Sequence, residues 1–279
     1  MDINELKSIA KGIRRDIVSS VHAAQSGHPG GSLSSADILA YLYAQELRGV
    51  SPEHPDNPDR DRFVLSKGHA APVLYAALAW KGFIPREDLL TLRKADSYLQ
   101  GHPDMHKVPG VEMSTGSLGQ GFSTAVGMAL AGKMDGKDYR VYSLIGDGEM
   151  QEGQIWEACM FAGARKLDNF TAILDYNGLQ IDGRTKDVCD PNPVDKKFEA
   201  FNFHVIYADA HDFESLKAAF DEARNTKGMP SAIIAKSTKG KGVSFMEDNA
   251  GWHGKAPNDE EFKIAMDELE KEGEALCQK

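Results

Sequence analysis

The chain has 279 residues, of which 41% are hydrophobic, enough for one large domain with a sizeable core but too few for two full domains. Its 32 basic and 42 acidic residues give a formal net charge of -10, which argues against a nucleic-acid partner because phosphate-backbone binding needs a basic surface. The N-terminus is charged and amphipathic, and no run approaches the roughly 18 apolar residues of a membrane span, so we expect a cytoplasmic protein outside the membrane.

Strand and helix patterns alternate along the chain. Helical patterns occupy residues 34–48, 70–81, 119–132, 154–167 and 213–226. Short apolar runs typical of buried parallel strands occupy residues 140–146, 170–177, 203–210 and 231–238, and an extended segment at 61–69 ends at His69. This alternation predicts an α/β fold with a doubly wound, mostly parallel sheet flanked by helices, in a single domain over residues 1–279.

Two of the helical segments carry additional signals. Residues 119–132 are mostly Gly, Ala, Ser and Thr, so another backbone could approach closely, either within the domain or across a subunit interface. The last helix begins with Asn258 and Glu261 at the spacing of a capping box, which predicts a well-defined start for that helix.

Polar residues follow two of the predicted strands at the point where each ends. One strand runs into Gly146-Asp147-Gly148, and the next ends in Asp175-Tyr176-Asn177. Mg²⁺ prefers oxygen ligands, which Asp147, the amide oxygen of Asn177 and a nearby main-chain carbonyl could supply. The flanking glycines would let a diphosphate approach the backbone. A GDG triplet alone is more often an ordinary turn, but its combination with Asn177 and with the Gln-Glu-Gly at 151–153 is far more specific.

Four of the nine histidines lie in segments interrupted by Gly or Pro: His28, His69, His102 and His253. Imidazole can donate and accept hydrogen bonds and titrates near neutrality, so a histidine cluster suits orienting hydroxyls and moving protons in carbonyl chemistry. Any one of them alone would more often be a loop-packing residue. Zinc binding is the competing interpretation, but none of the four shows HxH or HxxxH spacing.

The GDG and DYN motifs resemble those of the thiamine diphosphate enzymes, in which GDG is followed after the next strand by an asparagine pair. Tyr176 stands at the first asparagine position here, whereas Asn177 keeps the position that binds metal in the family. The resemblance implies that Asp147, Asn177 and the main-chain carbonyl of Leu179 bind Mg²⁺, or Ca²⁺ or Mn²⁺ in its place. It also implies that Gly148 lies against the cofactor diphosphate.

The full set of motifs is similar to that of the transketolases over nearly the whole chain: SGHPG, GHA, GHP, TGSLGQG, GDG with QEG, DYN with IDG, KGKGVSFME and WHGKAP. The similarity implies catalytic roles for three histidines: His28, His102 and His253. It implies cofactor contacts for a second set: His69, His253, Gly116, Leu118 and Glu152. From the residues alone, the loop with Gly116 and Leu118 is as well explained by packing, and Glu152 by a solvated carboxylate in the first turn of a helix.

Longer members of this family add a pyrimidine-binding domain, with a glutamate that hydrogen-bonds the cofactor's aminopyrimidine ring, and a C-terminal domain. No residue of this chain matches that glutamate. The resemblance therefore implies a partner, a C-terminal transketolase subunit, in a heterotetramer with two chains of each kind. A truncated chain is the alternative, against which the capped last helix argues mildly.

The expected activity is transfer of a two-carbon ketol unit from a ketose phosphate to an aldose phosphate, as in the pentose phosphate pathway. Two alternatives stay open: another thiamine enzyme, such as the α subunit of a 2-oxo acid dehydrogenase or a deoxyxylulose phosphate synthase, and a non-catalytic or regulatory thiamine diphosphate-binding protein. The histidine loops favour transketolase over the dehydrogenase. Three lysines could touch phosphate, although loop lysines are more often simply solvated: Lys236, Lys239 and Lys241.

Overall fold

The computed structural model describes residues 1–277, with side chains described as far as residue 271. The described residues form seven strands: β1 (Arg62–Leu65), β2 (Val141–Gly146), β3 (Phe170–Tyr176), β4 (Leu179–Gln180), β5 (Gly183–Arg184), β6 (His204–Asp209) and β7 (Ser231–Lys236). Within residues 1–277 there are also ten α-helices: α1 (Ile3–Ala24), α2 (Pro29–Leu33), α3 (Ala36–Tyr41), α4 (Ala71–Lys81), α5 (Gln120–Met134), α6 (Gly153–Ala164), α7 (Thr185–Val188), α8 (Val194–Ala200), α9 (Phe213–Asn225) and α10 (Asp259–Cys277). Shorter helical turns lie at Leu42–Glu46, Gly68–Ala70, Arg86–Thr91, Gly148–Gln151 and Ala250–Trp252.

Five strands form one fully parallel sheet in the order β1-β2-β3-β7-β6. Helices cover both faces, because successive side chains of each strand point to opposite sides and both sides are apolar. On β2, Tyr142 and Leu144 pack into one core with α1, α3, α4 and α9. On the same strand, Val141 and Ile145 pack into a second core with α5, α6 and α8. The predicted doubly wound α/β architecture is confirmed.

The predicted helix at 34–48 is present but shorter at both ends: α3 begins at Ala36 and continues without a break into the π-helical turn that ends at Glu46. Ser34 and Ser35 lie between α2 and α3, and their hydroxyls donate to the carbonyl of Gly31 and to the carboxylate of Asp175. Side-chain bonds of this kind compete with helix formation by offering the backbone other partners.

The extended segment predicted at 61–69 forms a strand only as far as Leu65, and His69 lies in the helical turn beyond it. The short hairpin of β4 and β5 was not predicted. The capping box of α10 is confirmed, with Asn258 and Glu261 each accepting at 2.9 Å from the other's backbone N–H. No described helix has the length and apolar content needed to span a bilayer.

The parallel sheet determines where the functional residues meet. Since every strand of the main sheet runs the same way, the segments that follow β1, β2, β3 and β7 emerge at one edge, the carboxyl edge. Open α/β sheets bind ligands outside this edge. His69, Asp147, Asn177 and Lys239 all follow those strands and line one cavity there, with a volume of about 160 Å³.

Candidate active site at the carboxyl edge of the sheet

The structure places Asp147 and Asn177 side by side, as predicted. Gly146 on β2 pairs with Asp175 on β3, so the residues that follow the two strands lie next to each other at the sheet edge. Leu179 lines the same cavity and donates its backbone N–H to Oδ1 of Asn177 at 3.1 Å. The three residues predicted to supply a carboxylate, an amide and a main-chain carbonyl to Mg²⁺ thus line one cavity.

Asp147 is buried, with 2% of its surface exposed, and its carboxylate accepts from the backbone N–H groups of Gly148 and Gly178. Among the described residues it forms no ion pair. Burial, followed by the nearby charge of Asp175, raises the pKa of Asp147 to about 6. A buried carboxylate without a cation is costly, so this site favours a positively charged ligand.

Behind Asp147 lies a buried ion pair that the sequence interpretation missed. Lys67 donates to Oδ2 of Asp175 at 2.5 Å and to the carbonyl of Gly31 at 2.8 Å. Asp175 also accepts from Ser34, Ser237 and the side-chain amide of Asn177. The bond to Asn177, at 3.2 Å, leaves the amide oxygen of that residue for the cavity. Lys67 and Asp175 flank the predicted residues in the GHA and DYN motifs, which is the signal that could have revealed them.

Lys239 is the second residue whose role differs from the expectation. It is 3% exposed and lines the cavity, so the interpretation as a solvated loop lysine is wrong for it, whereas Lys236 is exposed and Lys241 half-buried. Burial, followed by the charge of Lys67, lowers the pKa of Lys239 to about 8. Its only hydrogen-bond partner in the described part of the chain is Nδ1 of His253, at 3.1 Å. An ammonium group has three donors, so capacity remains for an anion.

Three of the four predicted histidines form one cluster beside Lys239. The ring centroids of His28, His69 and His253 lie 5.1 to 5.5 Å apart. Burial, followed by neighbouring positive groups, lowers the pKa of His28 to about 4 and that of His253 to about 3, and lowers the pKa of His69 as well. All three rings are therefore neutral near pH 7, and Nδ1 of His28 is buried without a partner among the described residues.

His102 lies at the exposed side of this cluster, against Gly116. A Cβ added to Gly116, whose φ is +155°, would lie 3.0 Å from the His102 ring, which explains the glycine at this position. The backbone bend predicted for the TGSLGQG loop is present, with Gly119 at φ +82° immediately before α5. Leu118 lines the cavity from this loop, and Ile181, which the sequence interpretation missed, lines it from the turn between β4 and β5 with 63% of its surface exposed.

Two glutamates of the segment after Asp147 differ in their surroundings. Glu149 is buried and accepts from the hydroxyl of Ser66 at 2.5 Å, the N–H of Gly119 at 2.8 Å and the N–H of Gly146 at 3.1 Å. It thereby links the ends of β1 and β2 to the start of α5. Glu152 is exposed at the start of α6, has no side-chain hydrogen bond there and does not line the cavity.

The cavity fits a divalent cation bound to a diphosphate. Among the described residues, it contains a buried carboxylate and a buried ammonium that form no ion pair, on Asp147 and Lys239, and neutral imidazoles that can donate hydrogen bonds. A Cβ added to Gly148 would lie 3.0 Å from Cβ of Gln180, so the turn after Asp147 is tightly enclosed. In residues 1–271, no three His, Cys, Asp or Glu side chains are grouped so as to hold a metal. The predicted donor set at Asp147 relies instead on an amide and a main-chain carbonyl beside the carboxylate.

Comparisons with known proteins agree with this geometry. The family model described as "Transketolase, thiamine diphosphate binding domain" matches residues 6–274. The 6-deoxy-6-sulfo-D-fructose transketolase subunit of Clostridium sp. (strain MSTE9) is 46% identical over 269 residues, covering 96% of this chain and 98% of that protein. One of the subunits of the apulose-4-phosphate transketolase of Actinobacillus succinogenes is 43% identical, covering 98% of each chain.

Longer proteins match as well. Human transketolase is 46% identical over 261 residues, which are 91% of this chain but 40% of that protein. The crystal structure of transketolase from Campylobacter jejuni superimposes with a TM-score of 0.87 at 34% identity, covering all of this chain and 48% of that one. The chain thus spans about half of the solved structures that it matches. It belongs to the transketolase family, and corresponds to its thiamine diphosphate-binding domain.

Proposed function

We propose that this chain is the diphosphate-binding subunit of a two-chain transketolase that uses thiamine diphosphate and Mg²⁺. The similar proteins of Clostridium and Actinobacillus are named as transketolase subunits and have nearly the same length as this chain. The partner is a C-terminal transketolase subunit that carries the pyrimidine-binding domain. A heterotetramer with the active site between the two kinds of chain is the simplest symmetric assembly, and the cytoplasm is the expected compartment.

The observation that carries this proposal is the presence in one cavity of two buried, oppositely charged groups, on Asp147 and Lys239, that form no ion pair among the described residues. Mg²⁺ bound to a diphosphate would supply both counter-charges at once, because Asp147 would hold the cation and Lys239 would donate to the anion. Asn177 and the carbonyl of Leu179 complete the protein's share of the metal ligands. The diphosphate would also contact Gly148 and the neutral rings of His69 and His253. Glu152 lies outside the cavity, and we assign it to the contact with the partner subunit.

When bound, thiamine diphosphate supplies the electron sink for cleavage of the bond between two sugar carbons. The chain's own residues position that chemistry. Leu118 and Ile181 offer apolar walls from two different loops, and Gly116 leaves space beside His102. His28 and His102 face the open side, where a neutral imidazole can accept a proton from a sugar hydroxyl or donate a hydrogen bond to a carbonyl.

The donor sugar is a ketose with an anionic terminus. The similar subunits are named for a sulfonated fructose and for apulose 4-phosphate, which share a terminal anionic group. In this chain, Arg93 lies on the side of His28 and His102, where its charge contributes to lowering the pKa of both histidines. Arg93 also donates to the hydroxyl of Ser26 at 3.2 Å. Its positive charge favours an anionic substrate at this mouth of the cavity.

The test is reconstitution with the C-terminal chain. Ketol transfer is measured with xylulose 5-phosphate or fructose 6-phosphate as donor and ribose 5-phosphate as acceptor, for this chain, the partner and the complex. We expect activity only from the complex with thiamine diphosphate and Mg²⁺. Activity of this chain alone would contradict the split-site proposal, and thiamine diphosphate binding by the complex without any ketol transfer would favour the non-catalytic alternative.

A further inference from the structure

A second cavity, of about 270 Å³, lies at the opposite, amino edge of the sheet. The segments that lead into β2 and β3 and the C-terminal ends of α5 and α9 enclose it. Six basic side chains line it: Arg48, Lys133, Lys137, Arg140, Arg224 and Lys227. Only two carboxylates do so, on Asp138 and Asp168. In a chain with a net charge of -10, such a concentration of positive groups needs an explanation.

Four of the six basic groups are neutralised by carboxylates. The pairs are Arg48 with Asp61 and Asp138, Lys133 with Asp168, Lys137 with Asp59, and Arg224 with Glu46. Arg140 and Lys227 form no ion pair among the residues that the structure describes. Lys227 is exposed, so water solvates its ammonium group, but this explanation does not extend to Arg140.

Arg140 is 6% exposed. Its Nη2 donates to the carbonyl of Ala223 at 3.1 Å and, weakly, to the hydroxyl of Thr171 at 3.4 Å, both neutral acceptors. Its Nε is buried without a partner in the described residues, as are Nε of Arg224 and Oδ1 of Asn169. Arginine keeps its charge in proteins, so a buried guanidinium without a carboxylate is expected to have an anionic partner.

We propose that this cavity binds an oxyanion of the phosphate class, either inorganic phosphate or the phosphate group of a phosphomonoester. Arg140 is the buried anchor, and Lys227, Lys133 and Arg224 surround the anion at the rim. Asn169 accepts a hydrogen bond from a protonated phosphate oxygen. The site is separate from the catalytic cavity, because β2 begins beside Arg140 and ends before Asp147, roughly 20 Å away at about 3.3 Å per residue.

The experiment measures phosphate binding by calorimetry and thermal unfolding, against sodium chloride at matched ionic strength. Because the catalytic cavity can also hold phosphate, two variants separate the sites. Arg140→Met removes the amino-edge anchor, and Lys239→Gln weakens the catalytic cavity. We expect Lys239→Gln to keep the amino-edge binding and the phosphate-dependent rise in Tm, and Arg140→Met to bind there at least roughly tenfold more weakly. Lys263→Gln, an exposed lysine on α10, serves as control.

If Arg140→Met does not fold, Lys227→Gln and Lys133→Gln replace it, since both lysines are exposed. Each is expected to weaken binding by roughly threefold to tenfold. Stronger binding of inorganic phosphate than of glycerol 3-phosphate would assign the site to the free ion, and the reverse order to a phosphomonoester. The proposal is overturned if chloride stabilises the chain as well as phosphate does, if both rim variants bind normally, or if Lys239→Gln abolishes all phosphate binding.

Discussion

Nζ of Lys239 lies 3.1 Å from Nδ1 of His253, and both groups line the cavity that contains Asp147. The contact has two consequences. The ammonium group keeps the neighbouring imidazole neutral, because burial and then the charge of Lys239 lower the pKa of His253 to about 3. The imidazole in turn leaves the remaining donors of Lys239 free for an anion. A ligand that brings negative charge should therefore bind to both residues.

Replacing Lys239 with glutamine should change both groups in a measurable way. The pKa of His253 should rise toward its ordinary value, because a neighbouring positive charge is removed. The affinity of the complex for thiamine diphosphate should fall by roughly tenfold to 100-fold, since a buried charge-assisted contact is lost. Histidine NMR titration and calorimetry measure the two effects. Lys236→Gln, an exposed lysine three residues earlier, should change neither; an unaltered His253 titration in Lys239→Gln would contradict the electrostatic link.

Asp147→Asn should separate metal binding from folding. The asparagine keeps the size of the side chain and one acceptor oxygen but removes the negative charge that the metal requires. We expect Mg²⁺-dependent cofactor affinity to fall by roughly 100-fold or more. The free energy of unfolding of the apo chain should change little, because removal of a buried unpaired charge offsets the loss of an acceptor for one of two backbone N–H groups. Asp182→Asn, at the exposed turn between β4 and β5, is the matched control. Normal Mg²⁺-dependent binding in Asp147→Asn would refute the metal assignment.

The histidine cluster predicts how stability depends on pH. His28 has a pKa of about 4 in the folded chain, below its ordinary value near 6.5, so between these values the unfolded chain binds a proton that the folded chain does not. The free energy of unfolding should therefore decrease as pH falls from about 6.5 to about 4. His28→Asn should reduce this slope, whereas His106→Asn, in an exposed loop, should not. Denaturant titrations at a series of pH values measure it, and an identical slope in His28→Asn would disprove the assignment.

Replacement by alanine should destabilise the chain at Glu149 but not at Glu152. Glu149→Ala leaves three buried donors without their acceptor and should lower the free energy of unfolding by about 3 kcal/mol. Glu152→Ala should change it by less than about 0.5 kcal/mol, because the side chain is exposed and unbonded. If Glu152 lies at the subunit contact as proposed, its alanine variant should instead weaken assembly with the partner. Denaturant titration measures the stability of both variants, and analytical ultracentrifugation measures assembly of the Glu152→Ala chain with the partner. Normal assembly would place Glu152 outside the contact.

The architecture could be predicted because burial on both sides of a parallel sheet leaves a strong local signal. Runs such as that at 140–146 are mostly apolar, and helical patterns separate them. The alternation of strands and helices could therefore be predicted from local sequence, without knowledge of any tertiary contact. The location of the proposed metal ligands could also be predicted. Asp147 and Asn177 each follow a strand, and parallel strands bring such positions to one edge of the sheet.

The electrostatic environment of the site was decided by the tertiary structure. Whether Lys239 is solvated or buried depends on how the loop after β7 folds over α2, and no local pattern reports this. The ion pair of Lys67 with Asp175 joins residues far apart in sequence, and so do the hydrogen bonds that Glu149 accepts from Ser66 and Gly119. The sequence by itself determined which residue types reach the carboxyl edge. Only the tertiary structure decided which of their charged groups are buried and which form ion pairs, because burial and pairing are properties of the assembled sheet and loops.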